Sequence, residues 1–420
     1  MLRSWRAPPR DAWSLDSNFP SPPSHFYFYS TSHMASICNR CALRLQRASS
    51  IAQITSRRAF TQSVFRSKQL PSFIETPNEE LNNILATLRT KHFLPKYLHK
   101  SERRLIESPK NKQYLEENPQ TTQIGGEEIE LEWIDVAKRP SEVPLCKKAF
   151  QIIFNSKDNS WENLPRLLRA IAETNPKGKG TTPLTRPELE RIVRKAVEQS
   201  KLSVVLRCLQ PNAGTGISLK GPRLVEALIV GVRQTALRSN WEENHVAIAL
   251  ERFQELMSLF EREEHGGGKY LRPGDARRRP EVLGTLLELA AVYTYKHGGG
   301  EDTNGVVKTY ADRLLSILEA DPQRYNADEF ITIKGGTGYE NHQLRYMSFM
   351  LSVPIYHGLL LAEKVLGDSL PRSGSAKMII SQYQTRLESL ASTIESRKNS
   401  YERHAYEVEA LEAWNKCIRD

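Results

Sequence analysis

With 420 residues and 39% hydrophobic content, the chain is long enough to bury a sizeable core as one large domain or a few small ones. Lys and Arg outnumber Asp and Glu 59 to 49, a net charge of +10 that would suit a polyanionic partner if it were spread over the fold. It is not spread: up to Ile74 there are ten basic side chains against Asp11 and Asp16, which leaves 49 basic and 47 acidic groups in residues 75–420 and excludes a uniformly basic surface.

Residues 1–33 carry Pro8, Pro9, Pro20, Pro22 and Pro23 and the aromatic run His25-Phe26-Tyr27-Phe28-Tyr29. Such a composition predicts no packed structure, and the stretch reads as an upstream start ahead of the working N-terminus. From Met34 to Ile74 no acidic residue occurs, Ser and Ala are frequent, and Arg recurs at Arg40, Arg44, Arg47, Arg57 and Arg58. That is the composition of a mitochondrial transit peptide. In a helix over Cys38–Ile54, Arg40, Arg44 and Arg47 share one face, with Leu45 and Ile51 among the apolar positions. The stretch Arg57-Arg58-Ala59-Phe60-Thr61-Gln62-Ser63 resembles the Arg-plus-aromatic cleavage region of many fungal matrix presequences. The resemblance implies a protein of the mitochondrial matrix with a presequence over 34–74. The alternative is a basic tail that binds nucleic acid or lipid.

Residues 75–142 read as an N-terminal region of opposed charge. Asn78–Lys91 predicts a first helix, with Leu81, Ile84, Leu85 and Leu88 at helical spacing. Thr90–Lys112 is strongly basic, carrying Lys91, Lys96, Lys100, Arg103, Arg104, Lys110 and Lys112 with Phe93, Tyr97 and His99 interleaved. Tyr114–Asp135 then carries seven acids and no Lys or Arg. Within it, Thr122 and Ile124, the pair Gly125-Gly126, and the alternation Ile129, Leu131, Trp133 predict a small β-hairpin.

From Val143 onward the pattern is helical with short breaks. Helices are predicted at Leu145–Asn155, Ser160–Thr174, Pro187–Ser200, Leu202–Leu209, Gly221–Arg238, Glu242–Glu263, Pro280–Lys296, Asn304–Ala320, Asn341–Leu366 and Ser375 to about Asn415. The best-marked start is Thr185-Arg186-Pro187-Glu188, which combines capping-box spacing with Pro near the first helical position. Tyr346–Ala362 is the longest uncharged run, but Pro354, His357 and Gly358 interrupt it and it is too short to span a bilayer, so a buried helix or helix pair is expected. In the last helix Ile380, Tyr383, Leu387, Leu390, Ile394, Tyr401, Val408 and Leu411 form a three-and-four stripe, broken by Arg397 and His404. It predicts a long helix laid along a helical domain at 143–366, or a coiled coil with a partner over 367–420. The fold class expected is mainly α: an irregular solenoid or stack of helical hairpins, one small β-hairpin and a long C-terminal helix.

Chemistry-bearing motifs lack their contexts. Cys38-x-x-Cys41 has half the spacing of a zinc site but no second pair, and Cys146, Cys208 and Cys417 suggest no disulfide framework. Lys334-Gly335-Gly336-Thr337-Gly338 lacks the following Gly-Lys-Ser/Thr of a phosphate cradle. His265-Gly266-Gly267-Gly268 and His297-Gly298-Gly299-Gly300 have no Gly-x-Ser-x-Gly elbow to serve and read as flexible turns. No catalytic residue, metal or cofactor is expected.

What remains is surface for binding. Lys91, Lys96, Tyr97, Arg103 and Arg104 mix cations with an aromatic ring, which suits RNA phosphates and base stacking. A second concentration, Arg166–Arg207, holds ten Lys or Arg against four Glu, with Arg191, Arg194 and Lys195 on one helix face. Ordinary solvated helix faces, with the acidic 114–135 segment folded back on the first cluster, are the alternative. The hairpins between Asn163 and Asp321 resemble the α-solenoids of the tetratricopeptide and pentatricopeptide classes in architecture only, since their signature residues are absent. The resemblance implies an RNA- or ribosome-associated factor of organellar gene expression. The other reading is a protein-binding scaffold or assembly factor for a respiratory complex, using the C-terminal helix and its apolar stripe.

Overall fold

The structure is a computed structural model that describes residues 69–175, 184–272, 274–321, 338–396 and 405–418. The residues of the expected presequence up to Lys68, the Lys334–Thr337 glycine loop, and Arg397, Tyr401 and His404 lie outside the described residues. The last part of the expected presequence is described, and it is packed. Leu70 is buried, the Ile74 amide donates to Asn163 Oδ1 at 2.7 Å, Asn163 Nδ2 returns a bond to the Ile74 carbonyl at 2.8 Å, and Arg166 donates to the Ser72 carbonyl at 2.9 Å. These contacts tie residues 70–74 to a helix some ninety residues later, so the folded body begins ahead of the expected boundary at residue 75.

Helix α1 (Glu79–Thr87) starts where Asn78 Oδ1 accepts from the Leu81 amide at 2.9 Å, and it buries Leu81, Ile84 and Leu85. It does not stop at Lys91. A π-helical turn, Leu88–Phe93, carries it into α2 (Leu94–Tyr97), burying Leu88, His92 and Phe93 while Lys91 stays outside. After α3 (Lys100–Glu107) and α4 (Lys112–Glu117), strands β1 (Thr121–Ile124) and β2 (Glu127–Glu130) pair antiparallel with Ile124 opposite Glu127. The turn needs two consecutive positive φ angles, and Gly125 and Gly126 supply them at 61° and 89°. Ladder pairing ends at Glu130. Beyond it the Leu131 amide bonds Gln120 O at 2.8 Å and the Ile134 amide bonds Ile106 O at 2.8 Å, so Leu131 and Ile134 form a small satellite core with Ile106 and Leu115.

The expected helices of the main body form: α5 (Glu142–Asn155), α6 (Asn163–Thr174), α7 (Arg186–Glu198), α8 (Leu202–Leu209), α9 (Pro222–Arg238), α10 (Glu243–Phe260), α11 (Pro280–Lys296), α12 (Val306–Ala320) and α13 (Gly338–Leu366). Thr185 stands at the N-cap of α7 with Pro187 in the first turn, but the expected capping box is absent: Thr185 makes no side-chain cap bond, and Glu188 faces Arg191 at 3.9 Å. Helix α9 packs on α7 and α10, and α10 on α11, while two histidines stitch helices two apart, the end of α10 to the end of α8 and the end of α11 to the end of α9. His265, after α10, receives the Leu219 amide on Nδ1, which leaves Nε2 to donate to Leu209 O at 2.9 Å, 56 residues back. His297, after α11, bonds Trp241 O at 2.9 Å, also 56 residues back. The glycine runs that follow are therefore not flexible turns. They cap helix ends, with the Gly267 amide on Arg262 O at 2.9 Å and the Gly300 amide on Thr294 O at 2.9 Å.

Helix α13, expected at Asn341–Leu366, runs 29 residues through Pro354 as a single helix rather than a pair, and packing on α11 holds it where the proline removes a donor. Tyr346–Ser369 is long and apolar enough to cross a membrane by length and composition, yet 72% of its apolar window is buried inside the protein. The expected last helix is described as α14 (Ser373–Ser396) and α15 (Ala405–Ile418), which touch each other and both pack on α13. Its stripe residues Ile380, Tyr383, Leu387, Leu390, Ile394 and Leu411 are buried within the chain, so among the described residues of the stripe only Val408 is exposed to a coiled-coil partner.

Helices α11 and α13 approach closely because two positions lack side chains. A Cβ on Gly284 would stand 3.0 Å from Ile355 Cα, and one on Gly358 would stand 2.8 Å from the Glu288 amide nitrogen. This approach brings together four groups from four helices. Arg233 of α9 donates through Nε and Nη2 to the two oxygens of Glu288 of α11 at 2.5 and 2.7 Å, Nη2 also reaches Cys417 Sγ of α15 at 3.2 Å, and His357 Nδ1 of α13 bonds Glu288 Oε1 at 2.8 Å. Arg233, Glu288 and His357 are at most 1% exposed. Burial alone would keep Glu288 protonated, but the Arg233 guanidinium and then His357 outweigh it and hold the carboxyl down at about 2.

Two outcomes follow from this packing. Because the folded-state pKa of Glu288 is depressed from 4.5, its contribution is complete above about 4.5 and is lost as pH falls towards about 2. Glu288→Gln, which strands Arg233, is expected to lower unfolding free energy by about 3–5 kcal/mol at neutral pH and to flatten the acid limb of a urea-stability profile. Gly358→Ala is expected to cost about 1–3 kcal/mol through overpacking against α11. Gly374→Ala, which meets nothing within 4 Å, should leave the melting temperature unchanged.

Candidate nucleic-acid interface

The first basic segment presents only part of its charge to solvent. Lys91 is exposed on the π-helical turn, and Arg104 is exposed on α3; neither has an ion pair among the described residues. Lys96 is held by Glu142 at 2.8 Å, at the start of α5, and Arg103 by Glu107 at 3.1 Å, one turn along α3. Tyr97 is not a free stacking platform: its hydroxyl donates to Glu173 Oε2 at 2.6 Å, and burial followed by that carboxylate pushes the phenol well above its ordinary pKa. The acidic segment does fold back on this region, through Arg89 with Glu127, Thr122 Oγ1 donating to Glu102 at 2.8 Å, and Trp133 Nε1 donating to Ser108 O at 3.1 Å. Glu130 and Glu132 stay exposed and unpaired among the described residues, so charges of both signs remain side by side on the surface.

The second basic segment is spent largely on the fold itself. Arg166 holds Ser72, Arg169 pairs with Glu173 at 2.7 Å, and Arg207 pairs with Glu162 at 2.7 Å. On α7, Ile192, Val193 and Ala196 face the core, which turns Arg191 and Arg194 outward. Arg191 lies 5.8 Å over the Phe154 ring and Lys195 pairs with Glu198 at 2.5 Å, leaving Arg194 exposed with no ion pair among the described residues. Lys177 and Lys179 lie outside the described residues, as does the side chain of Arg186.

The two clusters do not merge. Lys96 is fixed on Glu142 in the first turn of α5 and Arg191 on Phe154 in its last turn, positions about 18 Å apart at 1.5 Å of rise per residue. The structure brings Lys91, Lys96, Tyr97, Arg103 and Arg104 into one region and Arg191, Arg194 and Lys195 into another. A third cationic surface, on the loop after α10 around Lys269 and Arg272, was missed in the sequence. The signal there is an apolar pair, Tyr270-Leu271, in a segment with no helical period to bury it.

Among the described residues, one group has metal-ligand spacing: Glu288, His357 and Cys417 offer donor atoms within 4.8 Å of one another. The Arg233 guanidinium already bonds both Glu288 oxygens there, so a dication would sit against a fixed positive charge, and the donor set does not fit one. The thiols of Cys146 and Cys208 are pushed up to about 12 by burial, which makes them packing groups rather than nucleophiles.

The family model for mitochondrial ribosomal protein mS27 matches residues 58–416, a span that takes in nearly all of the described body. The small ribosomal subunit protein mS27 of Neurospora crassa is 26% identical over 336 residues, covering 74% of this chain and 81% of that protein. A match of this length runs through the N-terminal charged region, the helical stack and the C-terminal helices alike: the chain belongs to the mitochondrial ribosomal protein mS27 family.

Proposed function

We propose that this protein is a structural subunit of the small subunit of the mitochondrial ribosome, working in the matrix without a catalytic centre of its own. The observation that carries the reading is the family match from residue 58 to 416, which leaves no described domain over for a separate activity. The helical body acts as a rigid platform, and the unpaired cations Lys91, Arg104 and Arg194 meet RNA phosphates while Lys96, Tyr97, Arg103, Arg191 and Lys195 hold the platform in shape. The burial of the C-terminal stripe favours this over a respiratory assembly scaffold, which would need that stripe open to a partner.

Gradient sedimentation of mitochondrial extract tests the reading directly: the protein should travel with the small ribosomal subunit and leave that fraction after ribonuclease. A nuclease-resistant complex with respiratory subunits would overturn it. On purified protein, the triple variant Lys91→Ala, Arg104→Ala, Arg194→Ala should bind single-stranded RNA more weakly. Its slope of log affinity against log salt should be shallower by roughly 2, at about 0.7 per phosphate contact. Tyr97→Phe, by contrast, should lower stability by about 0.5–1.5 kcal/mol through the lost bond to Glu173 and leave RNA affinity unchanged.

A further inference from the structure

The loop that follows α10 exposes what a soluble surface ordinarily hides. Tyr270 is 73% exposed and Leu271 55%, the two most exposed large apolar side chains described. The base beneath them is rigid. His265 is buried between Leu209 O and the Leu219 amide, and a Cβ on Gly267 would stand 2.0 Å from Phe260 O, so the chain leaves α10 by one tight path. On the far side Arg277 clamps buried Asp275 at 2.6 Å and donates to Gly268 O at 3.0 Å, pinning the loop's return to its start. An aromatic ring held out on so fixed a stem loses little freedom when it is covered.

Charge says what covers it. Lys269, Arg272 and Arg278, within eight residues of Tyr270 along the chain, are exposed with no carboxylate partner among the described residues. Lys220, whose Cγ lies 3.2 Å from a Cβ built on Gly266, adds a fourth cation at the loop base. The acids nearby are Glu261, which faces Arg277, Glu263, whose Cγ lies 3.8 Å from a Cβ built on Gly268, and Glu264, against the four open cations and Arg262. Arg279 is neutralised by Glu226 and Glu281 and Arg277 by Asp275, so the remaining balance around the loop is positive. Lys269 Nζ lies 5.5 Å over one face of the Tyr270 ring. A cation behind a ring makes its open face a platform for a flat, electron-rich partner.

We propose that Tyr270 stacks an unpaired RNA base, with Lys269, Arg272, Arg278 and Lys220 holding the flanking phosphates. Its residues all lie outside the two basic clusters expected from sequence, and the proposal rests on the ribosomal reading given above. A short fluorescein-labelled oligouridylate, followed by anisotropy on the full-length protein in the Lys91→Ala, Arg104→Ala, Arg194→Ala background, isolates it. Tyr270→Ala should weaken binding roughly 5- to 150-fold, the range of one lost base stack, while Tyr270→Phe should stay within about twofold of the parent. Since the side chain is solvent-exposed, both variants should melt with the parent.

Equal affinity of parent and Tyr270→Ala for the RNA overturns the proposal. If that variant also leaves the ribosomal fraction on gradients while its RNA affinity is unchanged, the loop docks on a protein instead, and the proposal falls while the ribosomal reading stands. Failure of the parent itself to sediment with the small subunit would remove the ribosomal reading first.

Discussion

The fold turns on a buried ion pair placed where two helices nearly touch. Arg233 and Glu288 meet with both oxygens satisfied, and they can do so only because Gly284 and Gly358 let α11 and α13 approach closely enough to shut water out. A lone charge in that position would be costly by several kcal/mol, so the pair constrains four helices at once: α9 brings the cation, α11 the carboxylate, α13 the imidazole and α15 the thiol. An apolar substitute of the same volume would fill the space but would not demand the bidentate alignment of Arg233 on Glu288. The same centre orders the indole of Trp241, which lies 5.7 Å from the Arg233 guanidinium and 5.6 Å from the His357 ring.

Most of the helical order was legible in the sequence because it is local. Leu81, Ile84, Leu85 and Leu88 repeat at helical spacing, glycines and prolines stand at the breaks, and Gly125-Gly126 states its turn. What was not legible depends on partners distant in sequence. The helix through Pro354 was expected, but nothing near it names α11 as the element that packs along it, and nothing near Thr185 says that its cap will go unused. Ile74 could not be assigned to the folded body without Asn163, 89 residues on. The paired loops at His265 and His297 look like slack glycine linkers until the carbonyls that each histidine reaches, 56 residues back, are known.

The basic clusters follow the same division. Composition locates them, but whether a given cation is available depends on a carboxylate contributed from elsewhere. Lys96 finds Glu142 and Arg207 finds Glu162, partners 46 and 45 residues away. A helical scaffold in the mS27 family thus carries far less open charge than its count of Lys and Arg implies, and what is open is divided among separate spots. That suits a subunit lodged among RNA strands and other proteins better than one that grips a single duplex.

Cys417 sits in the innermost part of the core, three residues from the last residue of the chain, and Arg233, which it meets, lies 184 residues earlier. A centre closed by groups so far apart in the chain is complete only when α9, α11, α13 and α15 are all in place. Loosening α15 alone therefore uncovers the apolar faces it packs on and takes a neighbour from the guanidinium, so the end of the chain is as much a part of the core as its middle.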